Sequence, residues 1–265
     1  MLGCSNGGMV DTRDLKSLGH NRLCGFESRF EHHFSPISNP MASKFFTRMK
    51  TKYGYGVHSP WAYNLIENVI NEHTAYYAYD DLYEHWKRSP EDLPQYGEEM
   101  DKLLFRLTNF VNPQFILEIG TGSGVSTGYL ASVNSRSRCV TIDAGNPHQR
   151  KIDNNLKHFQ NVKYIISKRP VQDITELLEQ NRQNGIPLDM AHIAHIDRPD
   201  IVFEALVPYV NSKTLFVING INRNANSKSW WQHIKSDPRV GVTFQFKRFG
   251  LVFFDLKMNK ADYLL

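Results

Sequence analysis

The chain has 265 residues, 41% of them hydrophobic and 12% aromatic, and its 31 Lys and Arg against 27 Asp and Glu give a formal net charge of +4. That is enough apolar material for one large domain with an extension, and the basic residues are spread along the chain instead of forming a block, which argues against a dedicated nucleic-acid binder. No run approaches the roughly 18 apolar residues of a membrane helix, and Cys4, Cys24 and Cys139 are scattered with no C-x-x-C pair, so a reducing cytoplasm is the expected compartment.

Residues 1–40 are rich in Gly, Ser, Asn, His and Arg, hold no sustained period and close on Ser35-Pro36-Ile37-Ser38-Asn39-Pro40. This composition predicts a disordered or loosely attached extension. Met41, followed at once by the amphipathic A-S-K-F-F-T-R-M-K, is an alternative start to Met1, which would make the extension non-native.

Residues 41–112 read as a helical lead-in or cap. Ser59-Pro60 has the form of an N-cap with proline at the first helical position, and the apolar residues at 61, 62, 65, 66, 69 and 70 fall on one stripe. Residues 76–86 read as an aromatic-rich connection, either core or a lid. Residues 96–111 form a further helix, which Asn112-Pro113 ends.

The pattern changes in the third segment, 113–265. Apolar runs at 115–119, 139–143, 162–166, 190–194 and 214–218 alternate with helical stretches, the mark of a parallel sheet covered on both faces. Residues 240–248 and 249–256 are strands with no helix between them and predict an antiparallel hairpin. The fold class is therefore α/β: a Rossmann-like doubly wound sheet, mostly parallel, with an antiparallel C-terminal hairpin.

The first of these strands runs into Gly120-Thr121-Gly122-Ser123-Gly124, and a helix is expected from about Val125. Glycines there permit positive φ and let a ligand approach the backbone, while the helix start offers free N–H groups. The second strand ends at Asp143, about 20 residues on, where such folds place an acid on ribose hydroxyls. The G-x-G-x-G spacing differs from the dinucleotide G-x-G-x-x-G, and with the terminal hairpin it disfavours a nicotinamide oxidoreductase.

In this loop the sequence resembles the class I S-adenosylmethionine-dependent methyltransferases, whose first motif is an acid followed by G-x-G-x-G, here Glu118-Ile119-Gly120-Thr121-Gly122-Ser123-Gly124. The resemblance covers residues 100–258, hairpin included. Tyr53-Gly54-Tyr55-Gly56-Val57-His58-Ser59-Pro60-Trp61-Ala62-Tyr63 is similar to the H-G-x-H-S-P-F-x-Y lead-in of a Bacteroidetes group of methyltransferase-like proteins of unassigned substrate. That group shares the G-L-V-F-F strand found at 250–254, and its chains start near the position of Met41. The resemblance implies S-adenosylmethionine as cofactor. Gly120, Thr121, Gly122 and Gly124 would lie beside its methionine part, Glu118 would hold the loop or reach the amino group through water, and Asp143 would accept from the ribose.

At the acceptor end the chain departs from its relatives. Metal-dependent O-methyltransferases, which these relatives resemble in layout, carry L-D-x-x-F-I-D-x-x-H at strand four and D-D or D-N after strand five. This chain reads Leu188-Asp189-Met190-Ala191-His192-Ile193-Ala194, with Ala194 at the acid, and Asn219-Gly220 after strand five. No catalytic metal is therefore expected. His192, His195 and His58 are candidate bases, and Asp197 enters by a shifted register; each His has a bland alternative as a core or exposed residue. Trp230-Trp231 either anchors a helix or floors an acceptor pocket, and Lys168-Arg169 reads as a solvated loop. The expected function is metal-independent methyl transfer to a small molecule. The alternative is a degenerate relative that binds cofactor or a protein partner without turnover. A homodimer stays open.

Overall fold

In a computed structural model, the described residues are 40–87, 97–145, 149–194 and 196–265. Apart from Pro40, the extension expected over 1–40 lies outside them, as does His195. The strands are β1 (Phe115–Ile119), β2 (Arg138–Asp143), β3 (Val162–Ile166), β4 (Met190–Ile193), β5 (Leu215–Asn219), β6 (Val242–Gln245), β7 (Phe249–Phe253) and β8 (Ala261–Leu264). They form one sheet in the order β3-β2-β1-β4-β5-β7-β6-β8. The first five are parallel, and β7 runs antiparallel to both β5 and β6, as the hairpin required. The unforeseen β8 adds parallel to β6 at the sheet edge. Its A-D-Y-L has no apolar run to announce it; Asp262 pins it by accepting from Thr243 Oγ1 at 2.8 Å and Lys235 Nζ at 2.5 Å.

The helices are α1 (Pro40–Lys52), α2 (Pro60–Leu65), α3 (Tyr77–Lys87), α4 (Glu98–Val111), α5 (Val125–Ser132), α6 (Gln149–Leu156), α7 (Pro170–Gln183), α8 (Pro199–Leu206) and α9 (Ala225–Ser236). Alternation along the strands separates two cores. Leu117, Ile142, Ile193 and Ile218 pack with Ile174 of α7, Phe203 of α8 and Trp231 of α9. Ile116, Cys139, Met190 and Val217 point the other way and pack with Leu65 of α2 and Leu104 and Leu107 of α4. With both faces covered, β1, β4 and β5 are buried from end to end.

Ser59 does cap α2: its Oγ accepts from Ala62 N at 3.3 Å, with Pro60 at the first helical position. The helix then widens into a π-helical turn over Ile66–Ile70. There the Val69 and Ile70 carbonyls accept from buried Arg106 of α4, Nε at 2.8 Å and Nη2 at 3.2 Å. The stretch read as a connection at 76–86 is largely helix α3. Tyr79 and Leu82, three apart on one face, pack with Phe105 and Tyr129 as core, while Tyr77 and Tyr83 of the same stretch are exposed.

Helix α9 fits the sheet at one glycine. A Cβ on Gly250 of β7 would lie 2.2 Å from Trp231 Cη2, while the Trp231 indole donates to Gln245 Oε1 at 2.9 Å. Gly250→Ala is therefore expected to cost about 2–3 kcal/mol through overpacking. The same change in a Trp231→Leu background should cost less than half as much, read as a double-mutant cycle from denaturant unfolding. Equal costs in the two backgrounds would show that the contact does not limit α9.

Candidate functional site

The sheet's carboxyl ends at β1, β2, β4 and β5 carry the chemistry-bearing residues. After β1, Gly120, Gly122 and Gly124 all adopt positive φ, at 93°, 58° and 86°. A side chain at any of them would strain the turn. Gly120 N donates to Ile142 O at 2.8 Å, which ties the loop to the end of β2. Since Ile119 pairs with Ile142, Asp143 stands on the neighbouring strand beside Gly120. It is half-buried and accepts from Gly145 N at 3.2 Å. A Cβ on Gly124 would lie 3.3 Å from Leu156 Cδ2, so glycine there also lets α6 close on the loop. Gly124 is the N-cap of α5 and offers no side-chain acceptor to its first turn.

Glu118 is fully buried and lies beneath this loop. Its cross-strand neighbours are Thr141 on β2 and His192 on β4. Oε2 accepts from Thr141 Oγ1 at 2.8 Å and from Thr127 Oγ1; Oε1 accepts from Ser126 Oγ at 2.7 Å and faces His192 Nδ1 at 3.0 Å. Thr121 Oγ1 shares a 2.7 Å hydrogen bond with Thr141 Oγ1. Burial alone would push the Glu118 carboxyl up, but the hydrogen bond and the charge interaction with His192, together with the bonds from Thr127 and Ser126, outweigh it and hold it below the usual range. Glu118 thus remains an anion and fixes the loop from below.

The chain of bonds continues to the acceptor end. His192, itself fully buried, meets Asn219 Nδ2 at its Nε2, 3.0 Å away. The neutral Nδ1–H tautomer satisfies both neighbours: His192 donates to Glu118 and accepts from Asn219. Asn219 is 8% exposed, and its Oδ1 has no hydrogen-bond partner among the described residues. It lines a cleft of about 1290 Å³ between the ends of β4 and β5, the start of α9 and the turn joining β6 to β7. Asp197 and Gly220 also line this cleft; the Asp197 side chain is 98% exposed, with Arg223 Nη1 3.9 Å away.

Of the predicted residues, then, Glu118, Thr121 and His192 join one buried network; Gly120, Gly122, Gly124 and Asp143 surround the loop; and Asp197 sits in the cleft. His58 is exposed, just before α2. Trp231 is core, and Trp230 packs against the same core, edge-on to Phe203, while also lining the cleft. Among the described residues, no group of three His, Cys, Asp or Glu side chains converges as metal ligands.

Ser126, Thr127 and Thr141 were not foreseen. The signal was a pair of hydroxyls just past the last glycine and a threonine two residues before Asp143. Asp101 was missed as well. It is 3% exposed on α4, with Oδ2 unpartnered among the described residues, and burial, reinforced by the negative charges of Glu118 and Glu98, pushes its carboxyl up from 3.8 to about 7.

No protein-family model matches the sequence, and no curated protein matches it. Solved structures do. TomG, an O-methyltransferase of Streptomyces achromogenes involved in tomaymycin synthesis and solved with SAM, is 19% identical, with 68% of this chain and 91% of that one covered at a TM-score of 0.53. A Bacillus cereus O-methyltransferase in complex with SAH is 19% identical, over 68% and 92%, at 0.51. An SAH-bound methyltransferase of Podospora anserina is 13% identical, over 74% and 96%, at 0.53. The fold is that of the class I methyltransferases.

Asp101 makes the stability of this region depend on pH. Its folded-state pKa lies above the unfolded one, so burying the carboxyl costs nothing below about pH 4, and the cost grows as pH rises through about 7. Asp101→Asn should therefore raise stability by about 2 kcal/mol near pH 8 and by much less near pH 4 in thermal melts. A benefit independent of pH would mean that Asp101 is not ionising in place.

Proposed function

We propose that the chain is an S-adenosylmethionine-dependent methyltransferase that acts on a small molecule without a divalent cation. The observation that carries this reading is the set of three left-handed glycines and an uncapped helix start with Asp143 on the next strand. The donor set fits the cofactor: free α5 amides for a carboxylate, bare backbone for close approach, and an acid for hydroxyls. Bound there, the cofactor would supply a methyl group already activated by its sulfonium.

Gly120, Thr121, Gly122 and Gly124 would form the cradle, Asp143 would accept from the ribose, and Glu118 would keep the cradle in shape without leaving the core. Ala194, Asn219 and Gly220 offer no carboxylate to hold Mg²⁺ against its hydration shell, which supports a metal-independent reaction in which alignment does most of the work. Of the candidate bases, Asp197 is the described one that reaches the cleft, so it would take the acceptor proton; His192, sealed between Glu118 and Asn219, would position Asn219. The free thiol of Cys139 suits the cytoplasm as the place of this activity.

Cofactor binding without turnover is a second reading, favoured by the same loss of acids at 194, 219 and 220. Calorimetry with S-adenosylhomocysteine tests what both share. Asp143→Ala should weaken binding about tenfold or more, about 1.4 kcal/mol, with an unchanged melting temperature. Equal affinity in the variant would remove Asp143 from the site. If the first reading holds, methyl transfer assayed with and without EDTA should run at the same rate, and loss of activity in EDTA would refute metal independence.

A further inference from the structure

The cleft at the acceptor end has a chemical character of its own. Arg198, Arg223, Lys247 and Arg248 line it against two carboxylates, Asp197 and Asp200. Arg198 is engaged, with Nε and Nη2 on the two Asp200 oxygens at 3.0 and 2.7 Å, and Arg223 leans towards Asp197. Lys247 and Arg248 form no ion pair among the described residues. Their backbone is nonetheless fixed: Asn222 Nδ2 donates to Lys247 O at 3.0 Å, and Gly220 N donates to Arg248 O at 2.8 Å. Two uncompensated cations are thus carried on a turn clamped to the end of β5.

Two further features face the same space. Helix α9 begins there, with Asn224 and Ser227 closed on each other as a capping box, so the positive end of its dipole adds to the two cations. Asn219 lines the wall at β5, and its buried Oδ1 has no hydrogen-bond partner among the described residues. The Asn219 amide nitrogen is already committed to His192, which orients the oxygen. Cations at one end and a lone acceptor at the other describe a ligand with an anionic group and an N–H or O–H donor. A pair of free cations beside a helix start suits a phosphate dianion better than a carboxylate.

We propose that this cleft binds the acceptor as a phosphomonoester of a small hydroxylated molecule, with Lys247 and Arg248 holding the phosphate and Asn219 Oδ1 accepting from the hydroxyl. This rests on the methyltransferase reading for the word acceptor, but the binding site stands on the cleft alone. Glycerol 3-phosphate is the probe, titrated by calorimetry into the full chain beside glycerol, methyl phosphate and glycerate.

Glycerol 3-phosphate should bind at least about tenfold more tightly than glycerol and lose about tenfold in Lys247→Ala/Arg248→Ala, with affinity falling as salt rises. Both side chains are on the surface, so the variant should melt as the parent does. Methyl phosphate, which has no donor for Asn219, should bind more weakly than glycerol 3-phosphate. No binding of the ester, equal binding in the double variant, or glycerate binding as tightly would overturn the assignment, and equal affinity for methyl phosphate would remove Asn219 from it. S-Adenosylhomocysteine, titrated in parallel, separates the two claims: its failure to bind while the ester binds would sink the methyltransferase reading and leave the cleft, and the reverse would sink the cleft alone.

Discussion

A carboxylate in the middle of a sheet needs a donor for each of its lone pairs or it unfolds what surrounds it. Glu118 meets this demand with Thr141 from one side of β1, His192 from the other, and Ser126 and Thr127 from above. Three strands and the first turn of α5 are therefore bound to one point. The turn between β1 and α5 has little freedom left, because both its ends are attached to the same side chain. Glycine with positive φ is what lets the backbone close that short span.

The same carboxylate links the two halves of the candidate site. On one side it reaches through Thr141 to Thr121 in the loop; on the other it reaches through His192 to Asn219 at the rim of the cleft. The path is a row of hydrogen bonds across adjacent strands, in register because β1 pairs with both β2 and β4. A change at Glu118 would be felt in both the cradle and the acceptor wall, while Asp143 and Lys247 lie outside the row and can be altered without breaking it.

Much of this was legible in the sequence where a single local rule decides. Apolar runs between helical stretches announced the parallel strands, and a missing helix between 248 and 249 announced the hairpin. Ser59-Pro60 marked its helix start to the residue. What stayed hidden depends on partners distant in sequence. Residues 261–264 become a strand because Asp262 finds Thr243 and Lys235. Residues 77–87 become a helix because Tyr79 and Leu82 find Phe105 and Tyr129. Glu118 could be read as motif, but its burial could not, since that needs the register that sets it between Thr141 and His192. The cleft was least visible of all: Asp197, Arg198, Arg223, Lys247 and Arg248 come from three loops that no periodicity connects.

Asparagine at 219 can be understood from the proton count of the row. With Glu118 ionised and His192 donating from Nδ1, the free Nε2 lone pair requires a donor, and Asn219 Nδ2 supplies it. An ionised aspartate there could only accept, so the imidazole would have to gain a second proton at Nε2, making His192 a cation between two carboxylates. The net charge of the row would be the same, but a negative charge would stand at the wall of the cleft. Asparagine keeps that charge buried at Glu118 and leaves the wall neutral with one open acceptor. The sign of the cleft then passes to Lys247 and Arg248, with a neutral wall at β5 beside them.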